Sequence, residues 1–453
     1  MDPLTNPLLT DLYQLTMMEA YLREGMIREA AFEFYVRQLP PGRGFLMAAG
    51  LDSVLTYLEG LRFSGVEISA LERTGRFTPR MLAHLADLRF TGEVDALPEG
   101  TPFFPNEPLL RISAPLPVAQ LVETRIINLL HFETLIASKA ARCRLAAGEH
   151  TLLVDFGLRR AHGAEAGLLA ARTSFIAGFA GTSNVLAGPL YGLPLFGTMA
   201  HSYIEAHDDE EAAFLTYARA NPDNVTLLVD TYDTLQGARH AIRAAKTLAR
   251  EGIRVRSVRL DSGDILALSR EVRALFDREG LTEVGIFVSG NMDEYEIENL
   301  LAAGAPIDGF GVGTKLDTAE DAPYLECAYK LVEYDGRPRL KTSAGKATLP
   351  GRKQVFRRTE GGRMVGDTVA LAAEEGMAGS PLLVRVMEGG RRLSPQLDLP
   401  AIAGYAQEQL QALPETLRCL ETDPPYDVRF SPALRRLQEE TLRSLGINGE
   451  TGR

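Results

Sequence analysis

The sequence predicts an α/β protein whose centre is a closed or nearly closed barrel. Residues 151–316 alternate short apolar strands with helices, which is typical of right-handed βαβ units in a parallel sheet. The number of units is about that of a barrel. Strand-like segments at 30–40 and 90–112 precede this region, and similar sequence follows it to about 387. We therefore expect a sandwich-like α+β domain, formed from both ends of the chain, with the barrel inserted into it.

The individual elements follow from hydrophobic periodicity and from turn residues. Ahead of the barrel, helical spacing covers residues 8–24, 51–61, 79–88 and 118–147. Within it, helices are predicted at 165–177, 209–220, 234–251, 265–279 and 293–303. After it, Asp335-Gly336 indicates a hairpin, and 400–445 is mostly helical. The predicted domains are 1–120 and 326–395 for the two parts of the sandwich, 121–325 for the barrel, and 396–453 for a C-terminal helical segment.

Composition excludes several classes of protein. The chain has 453 residues, 45% of them apolar, and no apolar run long enough to span a bilayer. A formal net charge of -12 argues against a sequence-independent grip on nucleic acid. The three cysteines have neither metal-ligand spacing nor a disulfide pattern, and the amino end lacks the features of a signal peptide. We expect a cytoplasmic protein.

Polar and charged residues follow the predicted barrel strands, and these strand ends predict the functional site. The carboxyl ends of parallel strands lie on one face of the barrel, so these residues should converge. The six strand ends are VDFGLRR (154–160), FGTMAHS (196–202), LLVDTYD (227–233), VRLDSGD (258–264), FVSGN (287–291) and FGVGT (310–314). Together they suit a heavily phosphorylated substrate with a divalent ion.

Two of these ends are glycine-rich turns. In one turn, Gly311 and Gly313 let successive backbone N–H groups point at one anion, and Thr314 adds a hydroxyl. Ser289 and Gly290 repeat the pattern one strand earlier. The alternative is a tight turn that needs only conformational freedom. The repetition favours a cradle for phosphate or ribose.

Carboxylates and arginines also lie at the carboxyl ends of these strands. Asp230 and Asp261 can hold Mg²⁺, directly or through water, or can cap the helices that follow. Arg159, Arg160 and Arg259 can clamp pyrophosphate or a carboxylate, or can form structural ion pairs with neighbouring aspartates. Their number at one edge favours a ligand.

His201 is the most informative single residue. It follows FGTMA at a strand end, where an imidazole can act as acid, base or nucleophile. A lone histidine is more often structural, and His162 is the only rival in a comparable setting. The basic stretch 341–358 is either a solvated hairpin or a mobile flap that carries cations over a nucleotide.

Taken together, these segments resemble the nicotinate phosphoribosyltransferase family. The resemblance runs from LLTDLYQLTM at residue 8 to residue 357. It is carried by FGLRRAHG, FIAGFAGTSNVLAG, GTMAHSY, VRLDSGD and GFGVGT in that order. It implies an irregular barrel of the type II phosphoribosyltransferase kind. The implied reaction converts nicotinate and phosphoribosyl pyrophosphate to nicotinate mononucleotide and pyrophosphate, coupled to ATP hydrolysis in NAD salvage.

The resemblance also implies roles for residues. The histidine that ATP phosphorylates in the family matches His201, and the arginine near the pyridine ring and the pyrophosphate matches Arg160 or its neighbour Arg159. A homodimer is implied, with the site at the interface and Tyr13 arriving from the partner chain. The resemblance places Tyr13, Thr198 and Arg259 on nicotinate and Thr314 on phosphoribosyl pyrophosphate. From the strand ends themselves we expect Arg259 and Asp261 to act in catalysis with His201, and Mg²⁺ to be held at Asp230 and Asp261, directly or through water. The other expected substrate-binding residues are Arg159, Arg160, Ser202, Asp230, Ser289, Gly290, Gly311 and Gly313.

Two alternatives remain at this stage. Nicotinamide phosphoribosyltransferase shares the fold and the histidine, but it places an aspartate shortly before the histidine motif. Residues 191–201 contain no carboxylate, which favours the acid over the amide. A non-catalytic nucleotide-binding protein on the same scaffold would not need His201, Asp230 and Asp261 together.

Overall fold

The computed structural model describes residues 6–343, 346–395, 398–421 and 425–447. The chain divides into two compact units. One comprises residues 139–323, and the other combines 1–138 with 324–453. In the described parts of the chain, no helix combines the length and the apolar character needed to cross a membrane.

The elements before the barrel region are α1 (Leu12–Glu24), β1 (Glu29–Val36), β2 (Leu46–Met47), α2 (Leu51–Gly60), α3 (Gly65–Arg73), α4 (Pro79–Asp87), β3 (Glu93–Ala96), β4 (Pro102–Phe103), β5 (Pro108–Pro115), α5 (Leu116–Leu121) and α6 (Glu123–Ala147). Those that follow are β6 (Leu152–Asp155), a 3-10 turn (Leu158–Arg160), α7 (Ala164–Ile176), β7 (Gly181–Thr182), α8 (Ala187–Tyr191), α9 (His201–Glu205), α10 (Glu210–Ala220), β8 (Val225–Leu228), α11 (Thr234–Arg250), β9 (Val255–Leu260), α12 (Ile265–Arg278), β10 (Gly285–Val288), α13 (Glu294–Ala302), β11 (Gly309–Val312) and α14 (Thr314–Asp317). The remaining elements are β12 (Cys327–Tyr334), β13 (Arg337–Pro338), β14 (Lys353–Glu360), β15 (Arg363–Leu371), β16 (Ser380–Pro381), β17 (Val384–Glu388), β18 (Arg391–Arg392), α15 (Leu399–Ala412), α16 (Glu415–Arg418), β19 (Val428–Phe430) and α17 (Pro432–Ser444).

The unit of residues 139–323 contains a six-stranded parallel sheet in the order β7-β6-β11-β10-β9-β8. Each of the four helices α10 to α13 begins after an aspartate whose carboxylate accepts a hydrogen bond from the backbone of the first turn. These capping residues are Asp209, Asp233, Asp264 and Asp293. The strand-and-helix alternation predicted from the sequence is confirmed for this unit.

One predicted barrel strand is wrong. Residues 196–202 form no strand, and the only pairing nearby is an isolated bridge between Leu195 and Thr182. Pro194 lacks an N–H donor and Gly197 disfavours extended structure, so the ladder stops after one bridge. Among the described residues the sheet therefore stays open, with β7 and β8 as its edges. It is a curled half-barrel, consistent with the type II phosphoribosyltransferase fold.

The other unit is built from both ends of the chain, as the sequence predicts. Its seven-stranded sheet has the order β13-β12-β1-β5-β3-β17-β18, so the late strands β12 and β17 pair with the early strands β1 and β3. A four-stranded sheet (β16-β14-β15-β19) and a two-stranded one (β2-β4) complete its β structure. The hairpin at Asp335-Gly336 is confirmed, and both residues have positive φ.

Three details differ from the sequence-based expectation. The predicted helix over 118–147 is divided at Val122 into α5 and α6, and α3 was not predicted. The second half of the basic stretch 341–358 lies in β14, where Lys353 pairs with Glu33 at 2.8 Å and Arg357 with Asp367 at 2.6 Å. Both ion pairs are buried. These two cations therefore belong to the sheet, and neither a solvated hairpin nor a flap describes them.

Candidate active site

A cavity of about 660 Å³ at the carboxyl ends of the parallel strands gathers most of the predicted residues. Strand polarity explains this convergence, because β6, β9, β10 and β11 all end on the same side. Phe156, Ser183, Met199 and Asn291 complete much of the remaining wall. The predicted residues that line the cavity are Arg159, Arg160, Thr198, Arg259, Asp261, Ser289, Gly290, Gly311, Gly313 and Thr314.

His201 lies next to this cavity, at the start of α9. Its Nδ1 is 3.1 Å from the hydroxyl of Thr231, and its Nε2 is 3.8 Å from a carboxylate oxygen of Asp261. The imidazole is partly exposed. It is thus held at one nitrogen by a neutral hydroxyl, while the other nitrogen faces a carboxylate and solvent. Thr231 was not singled out in the sequence, although it directly follows Asp230.

Asp230 and Asp261 do not cap helices. The caps fall three residues later in each case, on Asp233 and Asp264. Asp230 is nearly buried, and its Oδ2 accepts hydrogen bonds from the Asp261 N–H and the Ser262 hydroxyl, both at 2.8 Å. Its Oδ1 is buried without a hydrogen-bond partner in the described structure. A buried carboxylate oxygen of this kind requires a donor or a cation.

Arg259 spans the cavity floor from the end of β9. Its guanidinium donates to the Thr198 hydroxyl and, at 3.2 Å, to the Met199 carbonyl, and it lies 3.9 Å from Asp261. Burial lowers the pKa of Arg259, and the charges of Asp261 and Asp230 partly offset this. The group stays charged at neutral pH. Its buried Nε has no hydrogen-bond partner among the described residues, so Arg259 retains a donor for a ligand.

The two glycine turns are closely packed. Gly290 has a φ of +88°, and a Cβ there would lie 2.1 Å from the Asp261 carbonyl oxygen. Gly311 lies against the Phe156 ring, and Gly313 against the Phe156 carbonyl. The adjacent residue Thr314 begins α14, so its backbone and hydroxyl meet at the cavity wall. These glycines are needed for packing, and the backbone they expose also suits an anion.

Gly290→Ala should destabilise the protein more than Gly280→Ala. Gly280 also has positive φ (+73°), but a Cβ there meets nothing within 4 Å. We expect a loss of about 1–2 kcal/mol at Gly280 from backbone conformation alone. At Gly290 a further loss of about 1–3 kcal/mol is expected from the clash with Asp261. Urea unfolding followed by circular dichroism measures both, and equal losses would contradict a clash.

Four predicted residues are not part of the cavity lining: His201 and Asp230, described above, and Ser202 and Tyr13. Ser202 is exposed in the first turn of α9. Tyr13 belongs to the other unit, where it is 47% exposed on α1 and its hydroxyl is 3.5 Å from Glu123. Burial and the charge of Glu123 raise the pKa of Tyr13.

Family models cover most of the chain. They describe the N-terminal domain of nicotinate phosphoribosyltransferase (residues 8–131), the nicotinate phosphoribosyltransferase family (151–347) and its C-terminal domain (375–438). The chain belongs to the nicotinate phosphoribosyltransferase family. Its members include the nicotinate phosphoribosyltransferase pncB2 of Mycobacterium tuberculosis, which is 52% identical to this chain over 428 residues, 94% of the chain and 91% of the relative.

Further relatives with the same family name support this membership. The nicotinate phosphoribosyltransferase of Bacillus subtilis is 42% identical, over 81% of this chain and 76% of its own. The crystal structure of human nicotinic acid phosphoribosyltransferase matches with a TM-score of 0.86 and 32% identity, over 95% of this chain and 99% of that one. The chain is therefore an enzyme with the fold of this family.

Within this family fold, sequence reasoning missed residues that support the predicted ones. Thr231 and Ser262 each follow a predicted aspartate and contact His201 and Asp230, respectively. Phe156 stands between β6 and the arginine turn, and its ring is 5.7 Å from that of Phe287. The signal for Thr231 and Ser262 was available in the sequence, because each hydroxyl directly follows a strand-end aspartate and can both donate and accept a hydrogen bond.

Proposed function

We propose that this enzyme forms nicotinate mononucleotide and pyrophosphate from nicotinate and phosphoribosyl pyrophosphate, in NAD biosynthesis. We propose further that ATP drives the reaction by phosphorylating His201. The observation that supports this best is the joint location of three arginines, two glycine turns and His201 around one cavity. Although the net charge of the protein is -12, three of its arginines line this one cavity.

Arg259 and Thr198 are suited to the nicotinate carboxylate. They contact each other, so one anion can accept from both the guanidinium and the hydroxyl. Arg159 and Arg160 would bind the pyrophosphate, with the Gly313-Thr314 turn holding phosphate oxygens. This assignment leaves the Phe156 ring free to pack against the pyridine.

The chemical step follows from these positions. The bond from ribose C1 to the pyrophosphate oxygen breaks, while the pyridine nitrogen supplies an electron pair to C1. Negative charge accumulates on the departing pyrophosphate, where arginines stabilise it. The pyridine nitrogen carries no proton to be removed, so the step needs no strong general base.

Phosphorylation of His201 would couple ATP to this step. A nitrogen of the imidazole attacks the γ-phosphorus, ADP leaves, and water later removes the phosphoryl group. Thr231 fixes the ring, and Asp261 stabilises a positive charge on it. The phosphoryl group on His201 then strengthens the binding of phosphoribosyl pyrophosphate and favours product formation.

Asp230 and Asp261 fit a Mg²⁺ ion. Mg²⁺ prefers oxygen ligands and often uses one or two carboxylates together with water and substrate phosphates. The unpartnered Oδ1 of Asp230 is the observation that favours such a cation. Among the described residues, no group of three or more His, Cys, Asp or Glu side chains is arranged to hold a metal ion. When bound, the ion would neutralise pyrophosphate charge.

One assay tests the function. The pure protein is incubated with phosphoribosyl pyrophosphate, Mg²⁺ and either nicotinate, nicotinamide or quinolinate, with and without ATP. We expect nicotinate mononucleotide as the product, formed faster with ATP and lost when a chelator removes the metal. Formation of nicotinamide mononucleotide instead would identify the amide enzyme, and binding without turnover would identify a non-catalytic relative.

We propose that the active form is a homodimer in the cytoplasm. Exposed apolar side chains support an interface in each unit: Leu9, Leu12 and Tyr13 near α1, and Val185 and Leu186 before α8. Val185 is 72% exposed. The three cysteines form no disulfide in the described structure, which is compatible with a reducing compartment. In this dimer, Tyr13 of one copy completes the site of the other.

Subunit complementation tests the shared site. Tyr13→Ala and His201→Ala should each lose ATP-stimulated activity. In a hybrid dimer, one site would carry both changes and the other neither. A random mixture of the two variants should therefore recover about a quarter of the wild-type rate. If each chain builds its own site, the mixture stays as inactive as its components.

A further inference from the structure

Two carboxyl groups lie deep inside the barrel unit, beneath the cavity wall. Asp155 ends β6 and Asp317 ends α14, and both are 0% exposed. The catalytic scheme uses neither residue directly. They nevertheless stand directly below the two segments to which pyrophosphate binding is assigned.

The hydrogen bonds of the two groups differ. Asp155 accepts from the Gly157 N–H at 2.7 Å and from the Thr182 hydroxyl at 2.6 Å. Neither oxygen of Asp317 receives a hydrogen bond from a donor group in the described structure. Asp317 instead contacts the carboxyl group of Asp155. Lys315, on the same short helix, pairs with Asp293.

Two buried carboxylates in contact cannot both stay ionised without a nearby cation. Burial, and then the charge of Asp155, raise the pKa of Asp317 far above its usual range. Burial also raises the pKa of Asp155, but its two donors favour the charged form. The proton therefore belongs on Asp317, which can then donate to Asp155 and satisfy one of its own oxygens.

The two segments that carry Asp155 and Asp317 pack closely at Gly157. A Cβ on Gly157 would lie 2.1 Å from Cγ of Asp317, so the glycine is required for the two segments to meet. The Gly157 carbonyl in turn accepts the N–H of Arg160 at 2.7 Å, which sets the 3-10 turn. Asp155 thus orients the arginine turn through Gly157, and Asp317 joins it to the helix that begins at Thr314.

We propose that Asp155 and Asp317 share one proton in a carboxyl–carboxylate hydrogen bond, and that this bond positions the Arg159-Arg160 turn against the Gly313-Thr314 turn for pyrophosphate binding. Both are positioning residues, since neither lines the cavity. The pair carries a single negative charge. It therefore competes with pyrophosphate for Arg159 and Arg160 less than two ionised carboxylates would.

The kinetic part of this inference rests on the proposed function, whereas the proton can be detected without it. Asp317→Asn keeps a donor to Asp155 and the single charge, so the KM for phosphoribosyl pyrophosphate should stay within about twofold of wild type. Asp317→Leu has similar volume and no donor. It should raise that KM by about tenfold or more, with kcat changed much less.

Infrared spectroscopy of the complete protein locates the proton. A band from a buried protonated carboxyl should be present in wild type and lost in Asp317→Asn. Glu107→Gln is the matched control, because Glu107 is another buried carboxyl whose pKa is raised by burial and by Asp367, in the other unit. It should lose a different band and leave the KM unchanged.

The outcomes separate the two proposals. If the wild type makes no mononucleotide but shows the Asp317 band, the proposed function fails and the shared proton stands. If the band is identical in wild type and Asp317→Asn, or if Asp317→Asn raises the KM as much as Asp317→Leu, the inference is overturned. Should Asp317→Leu fail to fold, Asp317→Asn and the spectrum still decide it.

Discussion

His201→Ala is expected to abolish the ATP stimulation and to leave slow, ATP-independent synthesis. In the proposed cycle only the imidazole accepts the γ-phosphoryl group, and His201 does not line the cavity that we propose for nicotinate and pyrophosphate. We expect ATP to stimulate the wild-type enzyme by about tenfold to a hundredfold, as is typical of the coupling between two binding events. The ratio of initial rates with and without ATP should therefore fall to one.

His162→Ala is the control for this experiment. His162 is exposed shortly after the arginine turn and was the rival histidine in the sequence. We expect it to retain ATP stimulation, and we expect γ-labelled ATP to label wild type and His162→Ala but not His201→Ala. Full ATP-coupled turnover by His201→Ala would show that the phosphohistidine is assigned to the wrong residue.

The sequence predicted the barrel unit well because its signals are local. Short apolar strands such as β8 and β10 are followed by aspartate-capped helices, and each repeat carries its own start and stop. The strand that was wrongly predicted at 196–202 shows where local signals are insufficient. Its apolar and β-branched residues fit a strand, but pairing depends on a neighbour that the sequence cannot supply.

The same distinction applies to the site. The strand ends of β6, β9, β10 and β11 could be assigned to one edge because parallel polarity alone brings them together. The contacts between side chains could not be assigned in this way. That Thr231 contacts His201, or that Asp317 contacts Asp155 on the neighbouring strand, depends on the positions of side chains that are distant in sequence.

Arg259→Ala is expected to impair both nicotinate binding and pyrophosphate release. Arg259 is largely enclosed by Thr198, Met199 and Asp261, and its removal takes the nearest cation from Asp261 and from the proposed nicotinate site. The expected loss in kcat/KM for nicotinate is about a hundredfold to a thousandfold. Steady-state kinetics with each substrate varied in turn measure both effects.

Two further variants make this result specific to the guanidinium. Arg259→Lys keeps the charge but not the fork of donors, so we expect it to recover only part of the activity. Arg254→Ala removes an exposed arginine just ahead of the same strand, and it should leave both KM values unchanged. Because Arg259 and Asp261 stand on one strand end beside His201, loss at Arg259 should also weaken ATP stimulation. Unchanged kinetics for both substrates in Arg259→Ala would remove this residue from the active site.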